Sequence, residues 1–436
     1  MRGTGALGIL LLAACAGREV DRADVTAGLE TRIGQGIGPG GKAGDLSIPP
    51  GVRVDDGLSE TEAVAVALWN NAAFQEALAE LGIARADLVQ AGLLSNPVLS
   101  VLFPLGPRQL EFAAKLPLEV LWLRPKRIAA AELEGERVAQ KLVQGGLDLA
   151  RDVRAASAEL RRAREEAFLR ARLAGLREEA ENLEAARLRA GDASELEVDA
   201  ARVRALEARV ASARASAELT LALARLRGLL GFAADPRPLD FQVERRDRTV
   251  PVPDDAALRR EAFAWRPDLR AAEIGVEAAG ERAGLARWDL FALSAVVDGD
   301  KAEDGKGFDL TGGVEVEIPL FNRRQGARAR TDAELEQALR RAVTVRHRIA
   351  LEVKEASARL LLAADEQDVL RGRILPALAE SLRRAERAAA AGETSRLQVI
   401  EASARLEAAN VEAARADADL DRAWAELERN VGRRIE

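Results

Sequence analysis

Apolar positions along this chain follow two periods, one near 3.6 residues and one of 2. Between Leu58 and Ala91, residues Phe74, Ala77, Leu78, Leu81, Ala84 and Leu88 recur at helical spacing, and Ser59 three residues before Glu62 makes a capping-box signature. The period then changes. Asn96-Pro97 breaks the helix, Val98 to Phe103 reads as extended, and Pro104, Gly106 and Pro107 turn the chain. Leu110, Phe112, Ala114, Leu116 and Leu118 alternate in part, as in a strand with two unlike faces. Pro125 fits the first turn of the next helix. No proline interrupts Lys126 to Ala190, enough for roughly 100 Å of helix. Within it Val138, Leu142, Leu149, Val153 and Leu160 step by four and seven, with Gly146 and Ala156 in the gaps, as in a coiled coil. Gly191 predicts a turn, and a shorter helix returns from about Ser194 to Leu230.

The same order then repeats. Ala256 to Leu290 reads as helix, with Trp265-Arg266-Pro267 near its start. Leu293 to Val297 and Gly313 to Phe321 read as strands around an Asp298 to Gly307 loop. Val314, Val316 and Ile318 alternate with Glu315 and Glu317, giving one apolar and one acidic face. Asn322 to Ala391 is a second long helix in which Pro376 predicts a kink or local break. Gly392 turns the chain and Ser395 to Asn430 returns. The repetition is also literal: Ala190 to Ala201 reads AGDASELEVDAA, and Ala391 to Ala402, 201 positions on, reads AGETSRLQVIEA. Leu196/Leu397, Val198/Val399 and Gly231/Gly432 keep that offset, which is too long for a solenoid unit. The expectation is a mainly α fold with a small β part. Its duplicated halves, residues 58–250 and 251–436, each run short helix, strand pair, long helix, returning helix.

Composition narrows the function. Alanine, leucine, arginine and glutamate dominate, tyrosine is absent and aromatics are 3%, which suits long helices in contact along small residues. The net charge is −7 with both signs interspersed, so there is no basic face for nucleic acid. The start, MRGTGALGILLLAAC, has a positive Arg2 and an apolar stretch too short to span a bilayer. Residues 1–14 read as a signal peptide, and Leu12-Ala13-Ala14-Cys15 resembles a bacterial lipobox, which makes the single cysteine, Cys15, the expected lipidation site. Residues 15–57, with the Gly/Pro-rich run Gly34 to Gly51, read as a lipid-anchored linker. The GxG character of that run has no preceding strand and no following helix, so it reads as tether rather than phosphate loop. Enzyme chemistry lacks candidates: His347 is the one histidine and sits between two arginines. One histidine, one methionine and one cysteine cannot cluster around a soft metal, so neither a metal nor a cofactor is expected.

Four stretches resemble TolC-like outer-membrane efflux channels of the lipoprotein branch. Asn70 to Leu99 is similar to the family's opening helix and its exit through Pro97 into the first strand. Ile318-Pro319-Leu320-Phe321-Asn322 resembles the junction where the second strand pair enters a long helix, and Leu116-Pro117-Leu118 is its weaker copy. Gly191 and Gly392 resemble the two periplasmic tips, while Leu226 to Gly231 and Leu427 to Gly432 resemble the ends of the returning helices.

The resemblance implies a homotrimer forming a twelve-stranded β-barrel in outer-membrane lipid, continued by a periplasmic α-barrel. It implies a passive exit duct, gated at the helix tips, that meets a periplasmic adaptor (a membrane fusion protein). An inner-membrane pump, resistance-nodulation-division or ATP-driven, would supply the energy. Alignment on the tip glycines places Glu197 and Glu401 at acidic gate positions, Gln398 where the prototype has a second acid, and Thr394 where it has a latching arginine. Three copies of Glu401 around a narrow pore would favour cations. Two other readings compete. A lipid-anchored adaptor should show one hairpin flanked by β domains, and a structural coiled coil should show no strand breaks.

Overall fold

In a computed structural model of the chain, the described residues are 17–435 apart from 43, 55, 104–110, 238, 243–253, 289–291 and 302–307. The expected lipobox, Cys15, the 104–110 turn and most of the second strand-pair loop therefore lie outside them. After α1 (Arg22–Ile33), the first half runs α2 (Glu60–Asn70), α3 (Ala72–Leu78), α4 (Glu80–Gly92), β1 (Val98–Leu102), β2 (Glu111–Pro117), α5 (Val120–Ala190) and α6 (Glu195–Leu229). The second half runs α7 (Asp255–Trp265), α8 (Pro267–Trp288), β3 (Leu293–Lys301), β4 (Phe308–Val316), α9 (Gln325–Val369), a π-helical turn (Leu370–Ile374), α10 (Leu375–Ala390) and α11 (Arg396–Val431). The duplicated order is thus present.

The boundaries differ in instructive places. The helix expected over Leu58 to Ala91 is three helices. Asn71 is extended at the end of α2, and its Oδ1 accepts from the Phe74 amide at 3.0 Å, so one side chain ends α2 and caps α3. The Ser59–Glu62 capping box forms as expected. The helix expected over Ala256 to Leu290 divides at Arg266, held extended by the proline that follows and opens α8. Pro125 lies inside α5, which begins at Val120, rather than in its first turn. β4 ends at Val316, so Pro319 follows the strand instead of lying in it. Part of the expected linker is helical: Val25, Leu29 and Ile33 of α1 are buried. Gly146 has no side chain where Leu29 packs, and Asn70 Oδ1 accepts from the Ser47 amide at 2.7 Å, so this segment is fastened to the helices.

The chain divides into two compact parts, each described by itself. The first (1–25, 77–143 and 267–347) holds the sheet. Its order is β1-β2-β3-β4, all antiparallel, so the strand pairs of the two halves join through β2 and β3. Directly opposed residues share a face. The pairing Leu116↔Ala295↔Val314 therefore puts Leu99, Val101, Phe112, Ala114, Leu116, Ala295, Val297, Leu310, Val314 and Val316 on one face. The other carries Ser100, Glu111, Lys115, Ser294, Asp298, Asp300, Asp309, Thr311 and Glu315, with a few apolar residues between. Phe112 covers the bare backbone of Gly299, its cross-strand partner. Lys115 Nζ reaches Glu315 Oε1 at 2.6 Å across the polar face.

The second part (26–76, 144–266 and 348–436) holds most of the helical body. Here α5 and α11 run antiparallel along a seam of ion pairs. Beside Arg151–Glu426 at 3.1 Å, the number on α11 falls as that on α5 rises: Arg154–Glu428, Arg161–Asp421, Glu166–Arg415 at 2.7 Å, Arg172–Glu407 at 2.7 Å and Arg177–Glu401 at 2.7 Å. Between these rungs small side chains such as Ala158, Ala163, Ala414 and Ala418 are buried, which lets the helices approach closely. Burial alone would raise the Glu166 carboxyl. The Arg415 bond and the nearby Arg162 and Arg170 charges overcome that and hold it below the usual carboxylate range.

Candidate functional site

The two hairpin tips are built alike because the same glycine is needed twice. Gly191 at φ 81° and Gly392 at φ 76° end α5 and α10 in the left-handed region, which glycine enters without a Cβ penalty. The hydrogen bonds repeat with the 201-residue offset. Gly191 N–H donates to Leu188 and Asp192 N–H to Arg187, just as Gly392 N–H donates to Ala389 and Glu393 N–H to Ala388.

The capping that follows differs between the copies. In the first tip, Glu197 Oε2 accepts from Ser194 N at 2.7 Å and from Ser194 Oγ at 2.9 Å, closing a capping box. The Ser194 backbone amide, then its hydroxyl, hold the exposed Glu197 carboxyl below its ordinary range. In the second tip, Gln398 stands at the position equivalent to Glu197, and Ser395 makes no side-chain cap. Gln398 is exposed. Thr394 has its Oγ1 buried with no hydrogen-bond partner among the described residues.

Glu401 is not a bare acid. It accepts from Arg177 Nη1 of α5 at 2.7 Å and lies 3.9 Å from Arg204 of α6. Arg396 Nη2 donates to Glu179 Oε1 at 3.0 Å. Arg177, Ala180, Glu184, Glu197, Arg204, Leu397 and Glu401 thus line one groove where α5, α6 and the start of α11 meet. The structure brings Glu197 and Glu401 to this groove and leaves Gln398 outside its lining. The arginine partners carry no motif. Only their antiparallel register to the α11 acids marks them, and that register is visible once the hairpins are paired.

Pro97, Pro117 and Pro319 occupy the sheet ends. Pro97 precedes β1, Pro117 is the last residue of β2 opposite Ser294, and Pro319 follows β4. Among the described residues, no group of three or more His, Cys, Asp or Glu is placed to hold a metal ion, and no helix is long and apolar enough to cross a membrane.

Residues 258–433 match the family model described as outer membrane efflux protein. A search of curated proteins finds no sequence match. Solved structures share the fold nearly throughout. The outer-membrane channel OprN aligns at a TM-score of 0.71 with 19% identity, covering 97% of this chain and 98% of that one. The open-state MtrE outer membrane channel of Neisseria gonorrhoeae aligns at 0.68 with 18% identity, covering 85% and 88%. The CmeC outer membrane channel of Campylobacter jejuni aligns at 0.71 with 14% identity, covering 86% and 85%. The family match thus covers the second half of the chain, and the chain as a whole shares the fold of these outer-membrane channels.

Proposed function

We propose that this chain is the outer-membrane exit duct of a tripartite exporter, a passive homotrimer gated at its tips. The observation that carries the reading is the two-faced sheet. Its apolar face is uncovered within the chain, with Leu310 and Val314 exposed by 67% and 66%. Among the described residues, its outer strands β1 and β4 each pair on one side only. Open edges are not tolerated in lipid, and four strands are too few to close, so more copies must supply the missing strands. Three chains would give the twelve strands that the resemblance implies. The polar face would then line the lumen and the apolar face meet lipid.

The helices support the same assembly. On α6, Leu196, Val203, Leu206 and Val210 form an exposed stripe at heptad spacing, and on α9 Leu351, Leu361 and Leu362 are exposed. Such stripes fit packing of one chain against the next. The lipid anchor is consistent with the first compact part. Gly17 sits against Ile128 and Leu88, and Arg18 N–H donates to Glu132 Oε1 at 2.6 Å. Residue 17 therefore lies about 12 Å along α5 from its sheet-side start, close enough for an acylated Cys15 to reach the membrane surface. An adaptor would dock on the tips and an inner-membrane pump would supply the energy. Glu401, Glu197, Thr394 and Gln398 remain the gate candidates, with the Glu401 charge shared by Arg177 rather than presented whole to the pore. The adaptor reading is disfavoured by two hairpins where it needs one, and the plain coiled coil by the sheet.

A pair of substitutions tests this. Val314→Arg puts a cation on the apolar face and should cost about 2–4 kcal/mol per chain at mid-bilayer depth. Thr311→Arg puts the same charge on the polar face and should be tolerated. Outer-membrane fractionation should show loss of the first variant and retention of the second. Equal retention of both would contradict a lipid-facing sheet.

A further inference from the structure

The long helix α5 keeps different company on its two faces. Ser157, Leu160, Arg161 and Arg164 face α2 and the Leu58–Phe241 bridge, and Arg164 Nη1 donates to the Phe241 carbonyl at 2.9 Å. In a regular α-helix, Arg162, Glu166 and Arg170 lie about half a turn away from that face. There they meet Arg214 and Glu218 of α6 and Arg415 of α11 around a cleft of about 310 Å³. That is the small end of the range in which proteins hold small ligands.

The cleft is built from arginines that converge on one acid. The Glu166 side chain is 10% exposed and accepts from Arg415 Nη2 at 2.7 Å, from Arg170 Nε at 3.4 Å and from Arg162 Nη1. These guanidinium groups carry more N–H donors than one carboxylate can accept. Glu159 and Glu412 take up part of the remainder at the rim, from Arg162 at 2.6 Å and from Arg415 at 3.1 Å. On the facing side of α6, Arg214 is exposed and makes no ion pair among the described residues. The same holds of Arg225, about three turns further along that face. The donors left over are planar forks of the shape that carboxylate and phosphate oxygens fit.

We propose that this cleft binds small multiply charged anions, polycarboxylates or phosphates, and that three copies of it form an arginine ring on the inner wall of the duct. The ring rests on the exit-duct reading. A helical wall that carries α2 and the Leu58–Phe241 bridge on one face has its other face left to line a passage. The exposed α6 stripe that would meet the next copy, Val203, Leu206 and Val210, lies about a quarter turn from Glu218. A neighbouring chain therefore borders the cleft without filling it. Glu166 stands roughly 40 Å along α5 from the tip glycine Gly191, so the ring is a separate station from the acids of the gate. A ring of one charge in a confined passage concentrates ions of the other.

Citrate is the probe. Arg214→Glu reverses a charge in the cleft, and Arg209→Glu makes the same change about half a turn from Glu218 on α6. Both native side chains are exposed and make no ion pair among the described residues, so either variant leaves the α5–α11 seam intact. In planar bilayers the citrate concentration that halves the current should rise at least about fivefold with Arg214→Glu and change little with Arg209→Glu. Calorimetric titration of citrate into the detergent-purified proteins should show the same split. Citrate affinity unchanged by Arg214→Glu, or weakened equally by both substitutions, would overturn the site. Citrate binding that follows the split, without conductance in any of the three proteins, would keep the cleft as an anion site and sink the exit-duct reading.

Discussion

Arg154→Ala is expected to destabilise the protein by about 3–5 kcal/mol, the range for breaking a buried ion pair on one side. The Arg154 side chain is 5% exposed and bonds Glu428, with Glu60 at 3.7 Å. Glu60 keeps Arg161 nearby, also at 3.7 Å, so its loss is partial. Among the described residues, Glu428, 9% exposed, would keep the indole N–H of Trp424 at 3.1 Å. A buried carboxylate with one neutral donor accounts for most of the penalty. Removing an exposed rung such as Arg396, in contrast, should cost under about 1 kcal/mol. Chemical denaturation of the detergent-solubilised protein, at fixed concentration so that assembly does not differ between samples, checks this. Equal losses at Arg154 and Arg396 would contradict the graded seam.

Gly231→Ala is expected to cost about 2–5 kcal/mol, whereas Gly191→Ala should cost only about 1–2 kcal/mol. Both glycines have φ 81°, so both alanines meet the same left-handed penalty. Their surroundings differ. A Cβ at Gly191 would meet open space, but at Gly231 it would drive into the backbone carbonyl of Asn70. The difference isolates packing from backbone strain. Gly432, the repeat partner of Gly231, also lies against backbone, that of Trp265 and Arg266, but a Cβ there would stand 3.1 Å from its nearest neighbour, a looser fit than at Gly231. Paired thermal melts would measure it, and equal shifts for the two variants would show that the Asn70 contact yields without cost.

Duplication, the two tips and the strand pairs were legible in the sequence because each depends on local chemistry. Glycine must supply positive φ at Gly191 and Gly392, and period-2 alternation at Val314 to Val316 shows directly which strand face is apolar. α1 was hidden by its charged residues, although Val25, Leu29 and Ile33 recur every four positions. The break at Asn71 looked like helix interior, since its capping of Phe74 depends on a turn that no apolar pattern marks. Arg154, Arg161 and Arg177 carry no sequence signal, because a sequence shows which residues are charged but not which helix they meet. The same gap separates Glu401 as a lone acid from Glu401 held by Arg177. Pro376 announced a disturbance, and only the backbone shows it to be a widened turn rather than a bend.

The most direct test of the central claim is electron microscopy of the detergent-purified protein. A trimeric exit duct predicts three-fold particles with a central lumen and a helical wall on the order of 100 Å long, as α5 alone requires. Monomeric particles or solid rods would contradict it.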